Sequence, residues 1–417
     1  MENKLLKVKE ILKKNNQEHL LEFYNELNNE EKEILVNQIL NVDFEQIINL
    51  YNNSKKDEEY KIDISPLKYY EKDKFTFEEK NEYIKIGSNI IKENKLAVIT
   101  MAGGQGTRLG YNGPKGTFKL EQPVNKSLFE IRCEELKDAN KKYNSNILWC
   151  IMTSKENDKQ TKDFFEENNY FNYPKDRIIF FMQDTIPLID VEGKVMLQEC
   201  YKIREVSNGN GNIFLSMKKS GLIEKMKSEN IKWVSIGGID NVLAKNIDPL
   251  FLGLTISNNL EIASKTIFKE NPLDKIAVFC KINNKPGILN YSDIDLEISE
   301  KKDENNNYLY RDINILCHLM SFNAIEKSIN IDLPYHRTYK KNVFINSEGM
   351  KEVPAGPNSF KFENFIFDVF SFFDNMLLLR VKKEDEFAPI KDFTGPNNPE
   401  VAKDMYMNYW NNQLKEM

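Results

Sequence analysis

Between Leu96 and Ile282 the chain repeats one pattern, a short apolar run followed by a longer amphipathic stretch. The runs are LAVITMA (96–102), NILWCIMTS (146–154), RIIFFMQ (177–183), IKWVSIGGID (231–240) and KIAVFCKI (275–282). Between the first two, SLFEIRCEELKDANKKY (127–143) spaces its apolar residues as a helix does. A strand that is apolar on both faces has to be covered on both, and a parallel neighbour can be reached only through a crossover. The alternation therefore predicts an α/β fold, a Rossmann-like, mostly parallel sheet with helices on both faces.

Outside this stretch the pattern changes. Leu5, Val8, Ile11 and Leu12, then Leu20, Leu21, Phe23 and Leu27, then Ile34, Leu35, Ile39 and Leu40 recur at helical intervals. They predict a helical N-terminal module, assigned to residues 1–90, with the polar NNSKKDEEYKIDIS (52–65) as a linker. The α/β domain is assigned to 91–330. Short apolar runs broken by Pro and Gly place a smaller C-terminal domain at 331–417. Five separated cysteines with no C-x-x-C pair, and only three histidines, give no basis for a disulfide framework or a zinc site. The charged N-terminus reads as neither leader nor membrane span, so a cytoplasmic location is expected. The formal net charge of −6 argues against nucleic acid or an anionic membrane as partner, so an anionic ligand has to be gripped by local cations.

Such cations follow the first run. From Gly103 to Gly116 there are six glycines in fourteen residues, with Arg108 and Lys115 among them. In an open parallel sheet, ligands bind beyond the carboxyl ends of the strands, where this loop begins. Glycines let backbone N–H groups approach an anion, Arg108 offers a planar fork, and Lys115 offers a point charge stiffened by Pro114. The loop fits neither common template. A P-loop needs Gly-Lys-Ser/Thr after four spacers, and the dinucleotide pattern starting at Gly104 meets Leu109 where its third glycine belongs. A bare glycine turn is the bland alternative; two cations on a glycine scaffold suit a triphosphate.

AGGQGTRLG…PKG resembles the nucleotide loop of the eukaryotic-type UDP-sugar pyrophosphorylases (UDPGP type 1), most of all their UDP-N-acetylglucosamine branch. QEHLLEFYNEL, IMTS, IIFFMQDTIPLID, SNGNGNIF, GGIDN, FKFENFIFDVF and EDEFAPIKD resemble other blocks of that family in the same order. The resemblance implies a nucleotide-diphospho-sugar transferase (GT-A-like) fold, with 91–330 as the nucleotidyltransferase domain. It also implies UTP and a sugar 1-phosphate as substrates and Mg²⁺ as cofactor.

Residue by residue, the resemblance places Met101, Ala102, Gly103, Gly104 and Lys115 against UTP. Gln183 would read the uracil edge, as an amide that donates and accepts can; judged alone it is a strand-end glutamine. Gly209 would lie against the base and Asn210 would reach the sugar, although NGNG by itself is a turn. Asp240 would hold the metal, where DN alone suggests a turn. Lys361 and Lys391, solvated surface lysines by themselves, match lysines that the family brings to phosphate. Arg108, Lys115 and Lys391 are the catalytic candidates, and Tyr291 and Asn314 the remaining sugar contacts. Two departures concern the sugar. The family's Phe-Asn-Ala-Gly-Asn reads YRDIN (310–314), and Asn290 replaces a glutamate that grips sugar hydroxyls. The expected activity is uridylyl transfer to N-acetylglucosamine-1-phosphate. The alternatives are glucose-1-phosphate or another hexose-1-phosphate, and, from a different class, a non-catalytic nucleotide-binding regulator.

Overall fold

In the computed structural model, which describes residues 2–53, 63–271, 276–289 and 296–416, the apolar runs become neighbours in an 11-stranded sheet. Its main path uses β1 (Tyr69–Glu71), β2 (Leu96–Met101), β3 (Leu148–Thr153), β4 (Ile178–Met182), β5 (Trp233–Gly238), β6 (Ile262–Phe268), β7 (Asp312–Ser321) and β8 (Leu377–Arg380). The spatial order is β1-β8-β6-β7-β5-β2-β3-β4. Every neighbouring pair is parallel except those of β7, which runs antiparallel to both β5 and β6. All six residues of β2 and of β3 are buried, as two-sided cover demands. The chain is thus a mixed α/β protein with a mostly parallel central sheet.

One run lands elsewhere than expected. KIAVFCKI supplies Val278–Ile282, which folds back antiparallel on Lys285–Leu289 and joins the sheet from the side of β7. The cause is local: Asn283 and Asn284 have φ of 50° and 64°, and a two-residue turn with both centres left-handed closes a hairpin.

The chain divides into two compact units: Met1–Lys61, Asp184–Asn212 and Leu333–Phe365 form one, and Ile62–Gln183, Ile213–Asp332 and Ile366–Met417 the other. These boundaries differ from a division at 90 and 330. The first unit has a core of its own in which Val8 and Leu12 of α1 (Glu2–Lys14), Leu35 and Ile39 of α2 (Asn29–Asn41), and Ile47 of α3 (Phe44–Asn53) meet Ile189, Ile203 and Phe362. A core gathered from three stretches of chain has no contiguous signature. Ile34, expected inside, is exposed.

Within the second unit, α4 (Phe77–Lys92) packs on α6 (Pro249–Ser257), with α5 (Leu128–Tyr143) lying between them in sequence. A Cβ at Gly87 would run into the Pro249 carbonyl, and one at Gly253 into that of Tyr83, so two glycines set how closely these helices cross. Residues 77–92 therefore belong to the sheet's unit and not to the N-terminal helices. The final helix, α7 (Pro399–Glu416), belongs to the same unit. Among the described residues no helix is long and apolar enough to cross a membrane.

Candidate active site

The glycine loop leaves the carboxyl end of β2 and closes on itself. Gly106 N–H donates to the Gly113 carbonyl (2.9 Å), Lys115 N–H to the Gly104 carbonyl (3.0 Å), and Gln105 bridges Pro114. A short 3₁₀ turn, Thr107–Leu109, carries Arg108. Gly103 lies directly against the side-chain amide of Gln183, which a Cβ there would displace. Gln183 follows β4, is buried, and donates its backbone N–H to the Thr153 carbonyl (2.9 Å). Met101, Ala102, Gly103 and Gln183 thus lie side by side where β2, β3 and β4 end.

Asp240 follows β5, the other neighbour of β2. Ile239 N–H donates to the Met101 carbonyl (3.2 Å), and the Lys115 ammonium stands 3.9 Å from the Asp240 carboxylate. Lys391 enters from the C-terminal segment. The Arg108 guanidinium donates from Nε and Nη2 to the Lys391 carbonyl (3.2 and 3.1 Å) and pairs with Asp392 (2.9 Å). Four of the sequence-derived candidates, Arg108, Lys115, Asp240 and Lys391, are therefore gathered at one place. Burial, together with the Arg108 and Lys391 charges, holds the Lys115 ammonium below its ordinary 10.5, while Asp240 partly offsets them.

The remaining candidates have other settings. Asn314, on β7, accepts the Leu316 N–H through Oδ1 (2.7 Å) and so fixes a residue at φ 56°. The Leu316 side chain lies beside Gly238, two residues before Asp240. Gly209, Asn210 and Lys361 belong to the first unit. Gly209 has φ 94°, and a Cβ on it would meet the Asn364 carbonyl; Asn210 opens a 3₁₀ turn, Asn210–Asn212. Lys361 pairs with Glu363 (2.8 Å). Asn290 and Tyr291 lie outside the described residues.

Residues 42–395 match the model of the family described as UTP–glucose-1-phosphate uridylyltransferase. The chain belongs to this family. It is 34% identical over 376 residues to a UDP-N-acetylglucosamine pyrophosphorylase of Saccharomyces cerevisiae, covering 87% of this chain and 79% of the relative. To UDP-N-acetylglucosamine diphosphorylase 2 of Arabidopsis thaliana it is 31% identical over 418 residues, covering 94% and 82%. Among solved structures it is similar to the uridine diphosphate N-acetylglucosamine pyrophosphorylase of Trypanosoma brucei. There the TM-score is 0.83 at 25% identity, with 98% of this chain and 85% of that one covered. A UDP-glucose phosphorylase of the same organism shares the fold, with a TM-score of 0.64 at 16% identity over 85% and 74% of the two chains. The chain is thus a uridylyltransferase of the UDP-sugar pyrophosphorylase family.

The candidate site rests on residues that sequence reading passed over. Asn157, fully buried, donates to the carbonyls of Ala102 (2.9 Å) and Gly104 (3.3 Å) and so holds the root of the glycine loop. On α5, Arg132 donates to the carbonyls of Ala244 (2.8 Å) and Asn241 (3.2 Å). Glu135 accepts the N–H groups of Asn246 (2.6 Å) and Ile247 (3.0 Å), so α5 grips the loop that follows Asp240. The signal available was a polar residue where periodicity calls for an apolar one: Arg132 interrupts the buried face of α5 yet is itself buried. A cavity of about 900 Å³ opens beside α5 and α7, but none of Arg108, Lys115, Asp240 and Lys391 lines it.

Proposed function

We propose that this chain transfers the uridylyl group of UTP to N-acetylglucosamine-1-phosphate, releasing pyrophosphate, on a nucleotide-diphospho-sugar transferase (GT-A-like) fold. The observation that carries the reading is the convergence of Arg108, Lys115 and Lys391 with Asp240 at the carboxyl end of β2. A sugar-phosphate oxygen forms a bond to the α-phosphorus as the bond to the pyrophosphate oxygen breaks, so the barrier is lowered by alignment and by meeting the growing negative charge. Lys115, largely buried beside the carboxylate, is placed to meet that charge, and Arg108 and Lys391 attract the triphosphate. Gln183, against Gly103, reads the uracil edge, with Met101, Ala102 and Gly104 forming the backbone bed. Lys361, Gly209, Asn210, Asn314 and Tyr291 keep the nucleotide and sugar roles that the resemblance implies.

Among the described residues no cluster of three His, Cys, Asp or Glu exists to cage a metal. A single partly exposed carboxylate fits Mg²⁺, which keeps several waters and takes its other ligands from phosphates. Asp240 would hold the ion, which when bound would supply positive charge against that of the phosphates.

N-acetylglucosamine-1-phosphate is preferred to glucose-1-phosphate because the relatives at 31–34% identity carry UDP-N-acetylglucosamine in their names. Against that stand Asn290 and the YRDIN segment, so the sugar is the part to measure. Pyrophosphate release from UTP and Mg²⁺ should be fastest with N-acetylglucosamine-1-phosphate across a panel of hexose 1-phosphates. Faster turnover of glucose-1-phosphate would reverse the assignment, and no release with any sugar would leave a nucleotide-binding regulator.

A further inference from the structure

Asp240 and Lys391 lie 151 positions apart in the chain, and what fixes one relative to the other is a short crossing between residues 240–242 and 386–390. Its backbone contribution is thin. Ile390 N–H donates to the Asp240 carbonyl (2.8 Å) and Val242 N–H to the Ala388 carbonyl (3.2 Å), around an isolated Asn241–Pro389 bridge. Pro389 has no N–H to add. The side chain of Asn241 supplies the rest. Its Nδ2 donates to the Glu386 carbonyl (2.8 Å), and its Oδ1 accepts the Ala388 N–H (2.9 Å) and the Leu243 N–H (3.2 Å). Asn241 is buried, so each of these bonds forms away from water, where an unpaired partner is costly.

We propose that Asn241 is a positioning residue of the uridylyltransferase reaction: its amide ties the Lys391 strap to the Asp240 loop and so sets where the Lys391 ammonium stands. The inference rests on the functional reading above for the roles of Asp240 and Lys391. The amide is suited to the task because one planar group both donates and accepts, matching the Glu386 carbonyl and the Ala388 N–H two residues apart along the chain. At its far end the strap is pinned by the Glu386 carboxylate, which pairs with Lys72 (2.7 Å) and with the buried Lys265. At its near end Lys391 N–H donates to the Asn397 carbonyl (2.8 Å), and the Lys391 carbonyl accepts from Arg108. Asn241 holds the middle, where no other side chain reaches across among the hydrogen bonds of the described residues.

The test is a double-mutant cycle on the full chain with UTP, Mg²⁺ and N-acetylglucosamine-1-phosphate, read together with amide hydrogen exchange. Asn241→Ala should lower kcat roughly 10- to 100-fold, the scale of an ångström-sized misplacement, with a smaller change in the KM for UTP. In a Lys391→Ala background the same substitution should cost less than about threefold, because nothing remains for the strap to position. Two independent, multiplying losses would overturn the proposal. Exchange at the Ala388 and Ile390 amides should accelerate in Asn241→Ala at least tenfold beyond what the fall in global stability accounts for; exchange that merely follows global stability would overturn it whatever the turnover. Asn241→Asp keeps the shape and the acceptor but loses the donor, so it should show an intermediate defect if Asn241→Ala folds poorly. A Lys391→Ala enzyme with normal kcat would instead count against the functional reading. The exchange result judges the tie independently of that.

Discussion

Two charge clusters sit a few residues apart along the same strap and differ in one respect. Around Glu386, the ammonium groups of Lys72 and Lys265 alternate with the carboxylates of Asp248 and Glu386, two charges of each sign. Around Lys391, three cations (Arg108, Lys115 and Lys391) face two carboxylates (Asp240 and Asp392). The first cluster is closed: Lys265 is fully buried and pairs with Asp248 at 2.8 Å. Burial works against the charged form of Asp248, yet Lys265 and Lys72 outweigh it and hold the carboxyl well below the usual carboxylate range. The second cluster is more open to water, keeps an excess positive charge and has Lys115 lowered instead of raised. A balanced cluster has no need of a ligand, whereas an unbalanced one is completed by an anion. That contrast separates scaffold from site where residue type, mostly lysine and aspartate in both, does not.

The largest expected effect breaks the balanced cluster. Lys265→Met leaves two buried carboxylates facing one lysine and should cost about 3–5 kcal/mol in urea unfolding. Adding Glu386→Gln removes the surplus negative charge, so the double variant should be more stable than the single one. If the single variant unfolds like wild type, the cluster is not the scaffold described here. Opposite behaviour is expected of the open cluster. Lys115→Ala should lose roughly 10²-fold or more in kcat, the cost of removing a preorganised charge donor, while the urea midpoint stays put. Lys115→Arg should rescue poorly, since a planar fork does not occupy the place of a point charge. A Lys115→Ala enzyme with near-normal kcat would shift the catalytic burden to Asp240 and Lys391.

The same contrast explains what the sequence disclosed and what it withheld. Runs such as LAVITMA declare buried parallel strands because six of their seven residues are apolar, and the glycine loop declares its cations because two of them stand on one glycine scaffold. β6 was invisible although every residue of Ile262–Ile267 is buried: Ser264, Lys265 and Thr266 interrupt the pattern, and Lys265 is inside because the carboxylates of Asp248 and Glu386 await it. Asn241 and Asn157 read as ordinary turn residues, since their partners are backbone atoms of segments far away in the chain. Local chemistry is written locally; an amide satisfied across 50 or more positions, like those of Asn157 and Asn241, is not. Lys391 needed the family resemblance for the same reason.

The smallest effect is also the most discriminating, because activity and stability should respond to pH with opposite signs. Lys115 titrates below its ordinary 10.5 in the folded protein, owing to burial first and then to Arg108 and Lys391, with Asp240 opposing. The unfolded chain therefore holds that proton more tightly than the folded one. In the window just below 10.5 this group's contribution to stability rises with pH. The proposed function uses the ammonium, so kcat/KM, which reports the free enzyme, should decline on an alkaline limb placed below the ordinary lysine value. Bound UTP brings negative charge that favours the ammonium, so the limb in kcat should lie at higher pH than the limb in kcat/KM. The thiols of Cys133 and Cys280 are pushed up to about 12 by burial and titrate above this window. Rate profiles paired with urea midpoints at each pH decide the matter. Loss of kcat/KM in step with loss of stability would mean alkaline unfolding. Loss of kcat/KM while the midpoint holds or rises, and disappearance of the limb in Lys115→Arg, would assign it to Lys115.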